Sequence, residues 1–312
     1  MASNQGRAHI IIVAGPTAAG KSEVACALAE RFAGEVVGAD SRQVFRGMDV
    51  GTAKPSAEMR RRVPHHLVDV VDPDVDFDAA AWNALASEAV GAIGARNRLP
   101  IVCGGTGLYL RALLRGIFPG PSADADLRRS LENEERNAPG SLHERLRRCD
   151  PKSAGRIHAN DRVRLVRALE VFELTGRPIS RWHEEQREAD GYEVLFLEVD
   201  PGYETLCRRI ETRAAAMLSE GLVEELKGLR ARYGRHPRAF SAIGYREAGL
   251  FLDGALAEHE LAGQIGRATQ RYAKRQRTWL RAQPHRRRID ARLSRDTCDL
   301  VGEFVAKAKG MR

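Results

Sequence analysis

Eight consecutive residues, Gly15-Pro16-Thr17-Ala18-Ala19-Gly20-Lys21-Ser22, satisfy the pattern G-x-x-x-x-G-K-[ST]. The chemistry such a segment performs is the cradling of a di- or triphosphate. Its glycines let the backbone turn so that successive N–H groups point into one concavity, and a following helix adds positive potential at its N-terminus. Lys21 then bridges terminal phosphate oxygens and Ser22 ligates Mg²⁺. A nucleotide triphosphatase adds an acidic magnesium ligand at the end of a later apolar strand. Here the later strand runs into Gly104-Gly105-Thr106-Gly107, which holds no carboxylate. The acid at a strand end is Asp40, within Gly38-Ala39-Asp40-Ser41-Arg42-Gln43. Ligands of open α/β sheets gather beyond the carboxyl ends of the strands, so Asp40 is expected to face the same crevice as the loop.

Positioning these residues takes alternating strands and helices. Residues 9–15 form an apolar run ending in glycine, and residues 22–32 follow with Ala and Leu at helical spacing. Residues 35–40 and 65–71 read as second and third strands, residues 77–97 as an Ala-rich helix, residues 100–105 as a further buried strand and residues 107–114 as a helix. The alternation predicts an α/β fold, a P-loop NTPase-like core whose mostly parallel sheet is flanked by helices. From about Pro119 to Gly191 the strand signals vanish. Charged helical stretches near residues 126–137 and 141–148 precede a better amphipathic one at 161–175, where Val163, Val166 and Leu169 make an apolar stripe. Residues 192–200 alternate as a strand, and several helices follow. The expected organisation is a discontinuous core over residues 8–118 and 192–295, an all-helical insertion domain over 119–191 and a tail over 296–312.

The 312 residues are 43% hydrophobic and 29% charged, which excludes wholesale disorder. The longest aliphatic run, residues 10–14, falls far short of the ~20 residues of a membrane helix. Residues 1–9 are polar and lack the apolar core of a secretory signal. Cys26, Cys103, Cys149, Cys207 and Cys298 are odd in number and scattered, with no Cys-x-x-Cys pair, so neither a disulfide framework nor a zinc site is expected. A reducing cytoplasm, no membrane and a monomeric chain are the expectations. The net charge of +8 is concentrated: residues 271–295 hold ten basic residues and one acid, Asp290. A basic face interrupted by Tyr272 and Trp279 points to a polyanion, and nucleic acid fits best. Trp279 either packs under this helix or stacks on RNA, whereas Trp82 and Trp182 read as packing residues. His65 and His66 are adjacent on a strand and point to opposite faces, so they cannot chelate one ion, and a structural or phosphate-facing role is expected. Asp69, Asp72, Asp74, Asp76 and Asp78 lack the spacing of a calcium loop and read as a solvated loop leading into a helix.

Several segments, in order, resemble tRNA dimethylallyltransferases, the isopentenyl-tRNA (IPP) transferase family. They are GPTAAGKS at 15–22, DSRQ at 40–43, GMDVGTAKP at 47–55, GGTGLYL at 104–110, RLVRALEVF at 164–172, Gly244-Tyr245-Arg246 and KRQRTWLR at 274–281. The resemblance spans roughly residues 10–290; Phe45 departs from it where Tyr is expected. It implies transfer of a dimethylallyl group from dimethylallyl diphosphate to N6 of the adenosine 3′ of the anticodon, with Mg²⁺ as the metal. The loop alone would be read as ATP-binding; the resemblance implies that Gly15, Pro16, Thr17, Ala18, Ala19, Gly20, Lys21 and Ser22 hold the donor diphosphate. Asp40 is implied as general base, with Lys21, Thr106 and Arg213 as its catalytic partners. An exocyclic adenine amine is a poor nucleophile, and a base that removes its proton is typically worth ~10²–10⁴-fold. Contacts to tRNA are implied for Asp40, Ser41, Arg42, Gln43 and Thr106, and for Val163, Arg164, Leu165, Val166 and Arg167. They are implied also for Ser241, Ala242, Ile243, Gly244, Tyr245 and Arg246, and for Lys274, Arg275 and Arg277. The helical insertion would close on the anticodon stem-loop.

Two other readings use the same loop: a small-molecule kinase turning over ATP, and an adenylate isopentenyltransferase with a free nucleotide as acceptor. The helical insertion and the basic helix favour a large polyanionic acceptor over free AMP, and a kinase should retain a nucleobase pocket and turn over ATP. A nonenzymatic RNA-binding protein would have no reason to set Asp40 beside a diphosphate cradle.

Overall fold

The computed structural model describes residues 7–118, 120–185, 191–308 and 310. The polar amino terminus up to residue 6, Pro119, residues 186–190 and residues 309, 311 and 312 lie outside the described residues.

The first strand, β1 (Ala8–Ala14), sits at the middle of the sheet and shows why the sheet needs cover on both sides. Ile10, Ile12 and Ala14 enter one core while Ile11 and Val13 enter another, all with no solvent exposure. This is the period of two that a strand imposes, and a continuous apolar run is its sequence form when both faces are buried. Helix α1 (Lys21–Arg31) leads to β2 (Gly34–Ala39), and α2 (Ala57–Arg62) to β3 (His65–His66). After α3 (Ala79–Ala95), capped by the Asp78 carboxylate on Ala80 and Ala81 N–H, come β4 (Leu99–Gly104) and α4 (Gly107–Arg115). Five helices follow: α5 (Ala125–Asn137), α6 (Ser141–Cys149), α7 (Pro151–Ala154), α8 (Arg162–Thr175) and α9 (Ile179–Glu185). The chain re-enters the sheet as β5 (Tyr192–Val199). Then come α10 (Tyr203–Ser219), α11 (Leu222–Tyr233), a 3₁₀ turn (Arg238–Ser241), α12 (Tyr245–Leu252) and α13 (Glu258–Arg281). Strand β6 (Arg287–Ile289) and α14 (Arg295–Ala308) complete the described chain.

The six strands are parallel in the order β3-β2-β4-β1-β5-β6. The α/β expectation is met. The chain passes from β1 to β2, returns to place β4 between them, then moves to the other side of β1 with β5. That reversal gathers the loops after β1, β2 and β4 at one sheet edge, where open α/β folds bind ligands. No helix among the described residues is long and apolar enough to cross a membrane.

The chain divides into two compact units, residues 1–114 with 190–312, and residues 115–189. The second is all helical among its described residues and has its own core of Leu131, Leu142, Leu146, Leu165, Leu169, Val171 and Ile179. Two expectations need correction. The third strand stops at His66 because Leu67 and Asp69 take left-handed backbone, with φ of 61° and 58°. Asp69 is no solvated loop residue: it accepts from Lys54 and Arg60. The segment after residue 294 folds as α14, whose Val301 is fully buried in the core behind β1.

Candidate active site

The phosphate loop follows from local constraints. Gly15 carries no side chain because a Cβ there would lie 2.6 Å from the Val199 carbonyl of β5. Gly20, with φ of 95°, turns the backbone into α1. Ala18 also adopts a left-handed φ, 63°, and its methyl is seated among Leu206, Ile210 and Ala273 of α10 and α13. Arg209 donates to the Ala19 carbonyl at 3.0 Å. Lys21 heads α1 and donates through Nζ to the Pro16 carbonyl at 2.8 Å. Burial pushes its ammonium below the ordinary lysine value, against the opposing field of Asp40.

An open cleft of about 640 Å³ is lined by Thr17, Ala18, Gly20, Lys21, Ser22, Asp40, Arg209 and Arg213, with Val36, Met59, Val68 and Cys103 on an apolar side. Gly15, Pro16 and Ala19 are buried behind this surface. Burial pushes the Cys103 thiol up to about 12, so it stays protonated. His65 also lines the cleft, is kept neutral by burial, and meets the Val63 carbonyl through Nδ1 at 2.8 Å. His66 points elsewhere, to buried Glu35 at 2.7 Å. Opposite faces are what the strand period requires.

A second cleft of about 300 Å³ is lined by Thr17, Asp40, Ser41, Arg42, Thr52, Arg213, Arg246, Tyr272 and Arg275, with Ile210, Ala214, Met217 and Ile265 as its apolar wall. Asp40, Thr17, Thr52 and Arg213 line both clefts, so the carboxylate stands where the two meet. Asp40 is held by its own loop: Oδ1 accepts the Arg42 N–H at 2.8 Å. Thr106, in the turn after β4, accepts the Ser41 N–H at 3.0 Å and ties that loop to β4. Tyr272 reaches Thr106, and burial pushes its phenol up to about 12. Burial lowers the Arg213 guanidinium while the nearby Asp40 charge raises it.

The loop of residues 47–55 forms a wall of both clefts through Thr52. Glu225 of α11 accepts from Asp49 N–H at 3.0 Å and Val50 N–H at 2.9 Å, and also accepts the Tyr245 hydroxyl. A Cβ on Gly51 would lie 2.4 Å from the Tyr245 ring, so the loop rests in close contact with that ring. Lys54, almost fully buried, donates to the Phe45 carbonyl at 2.6 Å and to Asp49 at 2.7 Å.

Several residues expected at RNA have other work in the fold. Leu165 and Val166 are buried in the helical unit, leaving Val163 and Arg164 exposed on α8, while Arg167 donates to Glu170 at 2.6 Å. Gly244 and Tyr245 are buried, whereas exposed Ser241, buried Ala242 and half-buried Ile243 line the second cleft beside exposed Arg246. Gln43 donates to the Thr52 and Ala53 carbonyls at 3.2 and 3.1 Å, fastening one loop to the next. On α13, Lys274 and Arg275 are exposed. Arg277 instead lies 3.6 Å from Asp200, which also takes Arg288 at 2.6 Å, and Arg286 pairs with Glu198 at 2.6 Å. The basic stretch is thus partly neutralised by acids of β5 and the residue that follows it. Trp279 packs over Gly107, resolving its open assignment toward packing.

Sequence reasoning missed Gln276, Arg209 and Thr52. Gln276 had a readable signal: it is an uncharged amide in a basic run, four residues before Leu280 and three after Ala273, on the apolar side of the helix.

A family model described as IPP transferase matches residues 43–283. A tRNA dimethylallyltransferase of Geobacter sulfurreducens is 49% identical over 281 residues, covering 89% of this chain and 90% of the relative. The solved tRNA isopentenylpyrophosphate transferase of Bacillus halodurans superposes with a TM-score of 0.72 at 35% identity, over 98% of this chain and 99% of that one. A eukaryotic dimethylallyltransferase acting on tRNA superposes with a TM-score of 0.80 at 28% identity, over 96% of this chain and 78% of that one. Two clefts meeting at one carboxylate beneath a phosphate loop, together with these likenesses over nearly the full length, establish that the chain belongs to the IPP transferase family.

Proposed function

We propose that the chain transfers a dimethylallyl group from dimethylallyl diphosphate to N6 of the adenosine 3′ of the anticodon in tRNA, releasing diphosphate. The observation that carries the reading is the double exposure of Asp40, which lines the phosphate-loop cleft and the neighbouring cleft alike. The diphosphate would lie on the backbone N–H groups of the loop, with Lys21 exchanging the Pro16 carbonyl for a phosphate oxygen. The adenine, extruded from the anticodon loop at a cost of a few kcal/mol, would enter the second cleft against Ile210, Ala214, Met217 and Tyr272.

In the step itself the N6 lone pair attacks the allylic carbon as the carbon–oxygen bond to diphosphate breaks and its electrons pass to the leaving group. Asp40 takes the N6 proton. Lys21, Arg213 and the loop N–H groups meet the charge that grows on diphosphate, a fixed electrostatic arrangement often worth ~3–4 kcal/mol per group. Thr106 acts through Ser41, holding the Asp40 loop against β4. Among the described residues no group of three or more His, Cys, Asp or Glu is arranged to hold a metal. The Ser22 hydroxyl, in the first turn of α1 and lining the phosphate-loop cleft, would be the loop's ligand to Mg²⁺, a cation that otherwise keeps phosphate oxygens and waters. Bound there, it would supply positive charge to the diphosphate oxygens. A tRNA acceptor implies a cytoplasmic enzyme, and the reading needs one chain only.

The test is incubation of the purified chain with unmodified tRNA and labelled dimethylallyl diphosphate, with ATP as control donor and AMP as control acceptor. Label in tRNA and none in AMP is the expected result. Label in AMP alone would make the protein an adenylate prenyltransferase, and phosphate transfer from ATP would make it a kinase.

A further inference from the structure

The third residue of the phosphate loop does not offer its N–H to the cleft. Thr17 donates it, at 2.8 Å, to the Gln276 side-chain carbonyl of α13. The other end of the same amide donates, at 2.9 Å, to the Gly105 carbonyl in the turn after β4. Both ends of a buried amide are therefore spent between two loops that carry opposite halves of the chemistry. The fit leaves no slack: a Cβ on Gly105 would lie 2.3 Å from the Gln276 nitrogen and 2.9 Å from the Gly15 carbonyl.

The neighbours of Gln276 on α13 grip the same two loops. Ala273 packs against Ala18 of the phosphate loop, Tyr272 reaches Thr106, and Trp279 covers Gly107. The outward residues, Lys274 and Arg275 among them, are exposed. Thr106 in turn fixes the Asp40 loop through Ser41 N–H. A chain of contacts thus runs from Thr17 through Gln276 to the turn that holds the base.

We infer that Gln276 is a positioning residue for the transfer reaction: its amide sets the spacing between the leaving-group cradle and the Asp40 loop. The inference rests on the prenyl-transfer reading. It requires an acceptor and a donor at once, because the amide fixes two partial sites relative to one another. Gln276 is buried and lines neither substrate cleft, so its effect must appear in turnover and donor use while RNA affinity stays level.

The experiment compares wild type, Gln276→Ala and Gln276→Glu, measuring kcat, the KM for dimethylallyl diphosphate, tRNA affinity against salt, and the pH profile. Misplacing reacting groups by about 1 Å costs on the order of 10²-fold, so Gln276→Ala should lose turnover of that order with tRNA affinity within about twofold. In Gln276→Glu an ionised carboxylate still accepts from Thr17 but repels the Gly105 carbonyl, whereas the protonated acid donates as the amide did. Its turnover relative to wild type should therefore rise as pH falls. Wild-type kinetics in Gln276→Ala, or equal losses in turnover and RNA affinity, would overturn the inference. A Gln276→Glu profile parallel to wild type would do the same, and remains decisive if the alanine variant fails to fold. Failure of wild type itself to label tRNA would sink the functional reading instead, a distinct result.

Discussion

The phosphate loop and the basic segment of residues 271–295 carry the two loudest chemical signals in the chain, and they pass into structure differently. The loop is made of eight consecutive residues whose backbone does the binding, so strand end, left-handed Gly20 and helix start announce it within one segment, which Gln276 and Arg209 of distant helices then brace. The basic segment is made of side chains whose partners lie far away in sequence. Asp200 claims Arg277 and Arg288, and Glu198 claims Arg286. A backbone site is specified by its own residues; a charged face is specified only after the fold has chosen which charges to use internally.

That contrast can be broken by measurement, beginning with the largest effect. Asp40→Ala should lower turnover by about 10²–10⁴-fold, the usual worth of a general base, with tRNA affinity within about tenfold of wild type. Single-turnover transfer and filter binding measure the two sides, and near-normal turnover would move the base elsewhere. Next comes Glu170→Gln in the helical unit, where a fully buried carboxylate accepts from Arg128 at 2.7 Å and Arg167 at 2.6 Å. Burial alone would raise this carboxyl, but hydrogen bonds from Arg128 and Arg167 outweigh it and hold it below the ordinary value of 4.5. A depressed carboxyl stabilises the fold above its unfolded pKa and loses that contribution as pH falls through the folded one. The variant should cost about 3 kcal/mol at neutral pH, and the gap to wild type should narrow as pH drops below 4.5. Thermal melts across that range decide it, and a constant gap would refute it.

The remaining two predictions separate exposed basic residues of α13 from an arginine paired with a buried acid. Replacing Lys274 and Arg275 with Ala should weaken tRNA binding and reduce the salt slope by about 0.7–0.9 for each phosphate left without its cation, with the donor KM unmoved. An unchanged slope would place the polyanion elsewhere. Arg288→Ala should leave that slope alone and cost on the order of 1 kcal/mol of stability, a Tm lower by about 2 °C. A flattened slope in Arg288→Ala would return this residue to the RNA surface.

The sheet was legible because β1, β2 and β4 are largely apolar runs that end at or beside a glycine, and their buried faces alternate in the two cores. The third strand is shorter than its sequence suggests: nothing in the apolar residues after His66 announces the left-handed turns at Leu67 and Asp69. Asp40 and Lys21 are legible from motif and strand end, and both line the cleft they were expected to face. Leu165, Val166 and Tyr245 could not be told from the exposed residues of their motifs, because a helix spends most of any short motif on its own packing. Tyr245 illustrates this well, since its hydroxyl serves Glu225 and its ring serves Gly51.

The seating of Gly51 on that ring has a reach beyond its own loop. A single methyl added there would meet the aromatic edge 2.4 Å away, and the backbone would have to rise to clear it. Thr52, the next residue, borders both chambers. One hydrogen-to-methyl exchange, made at a position that itself carries no chemistry, would thus shift a partition shared by the two clefts.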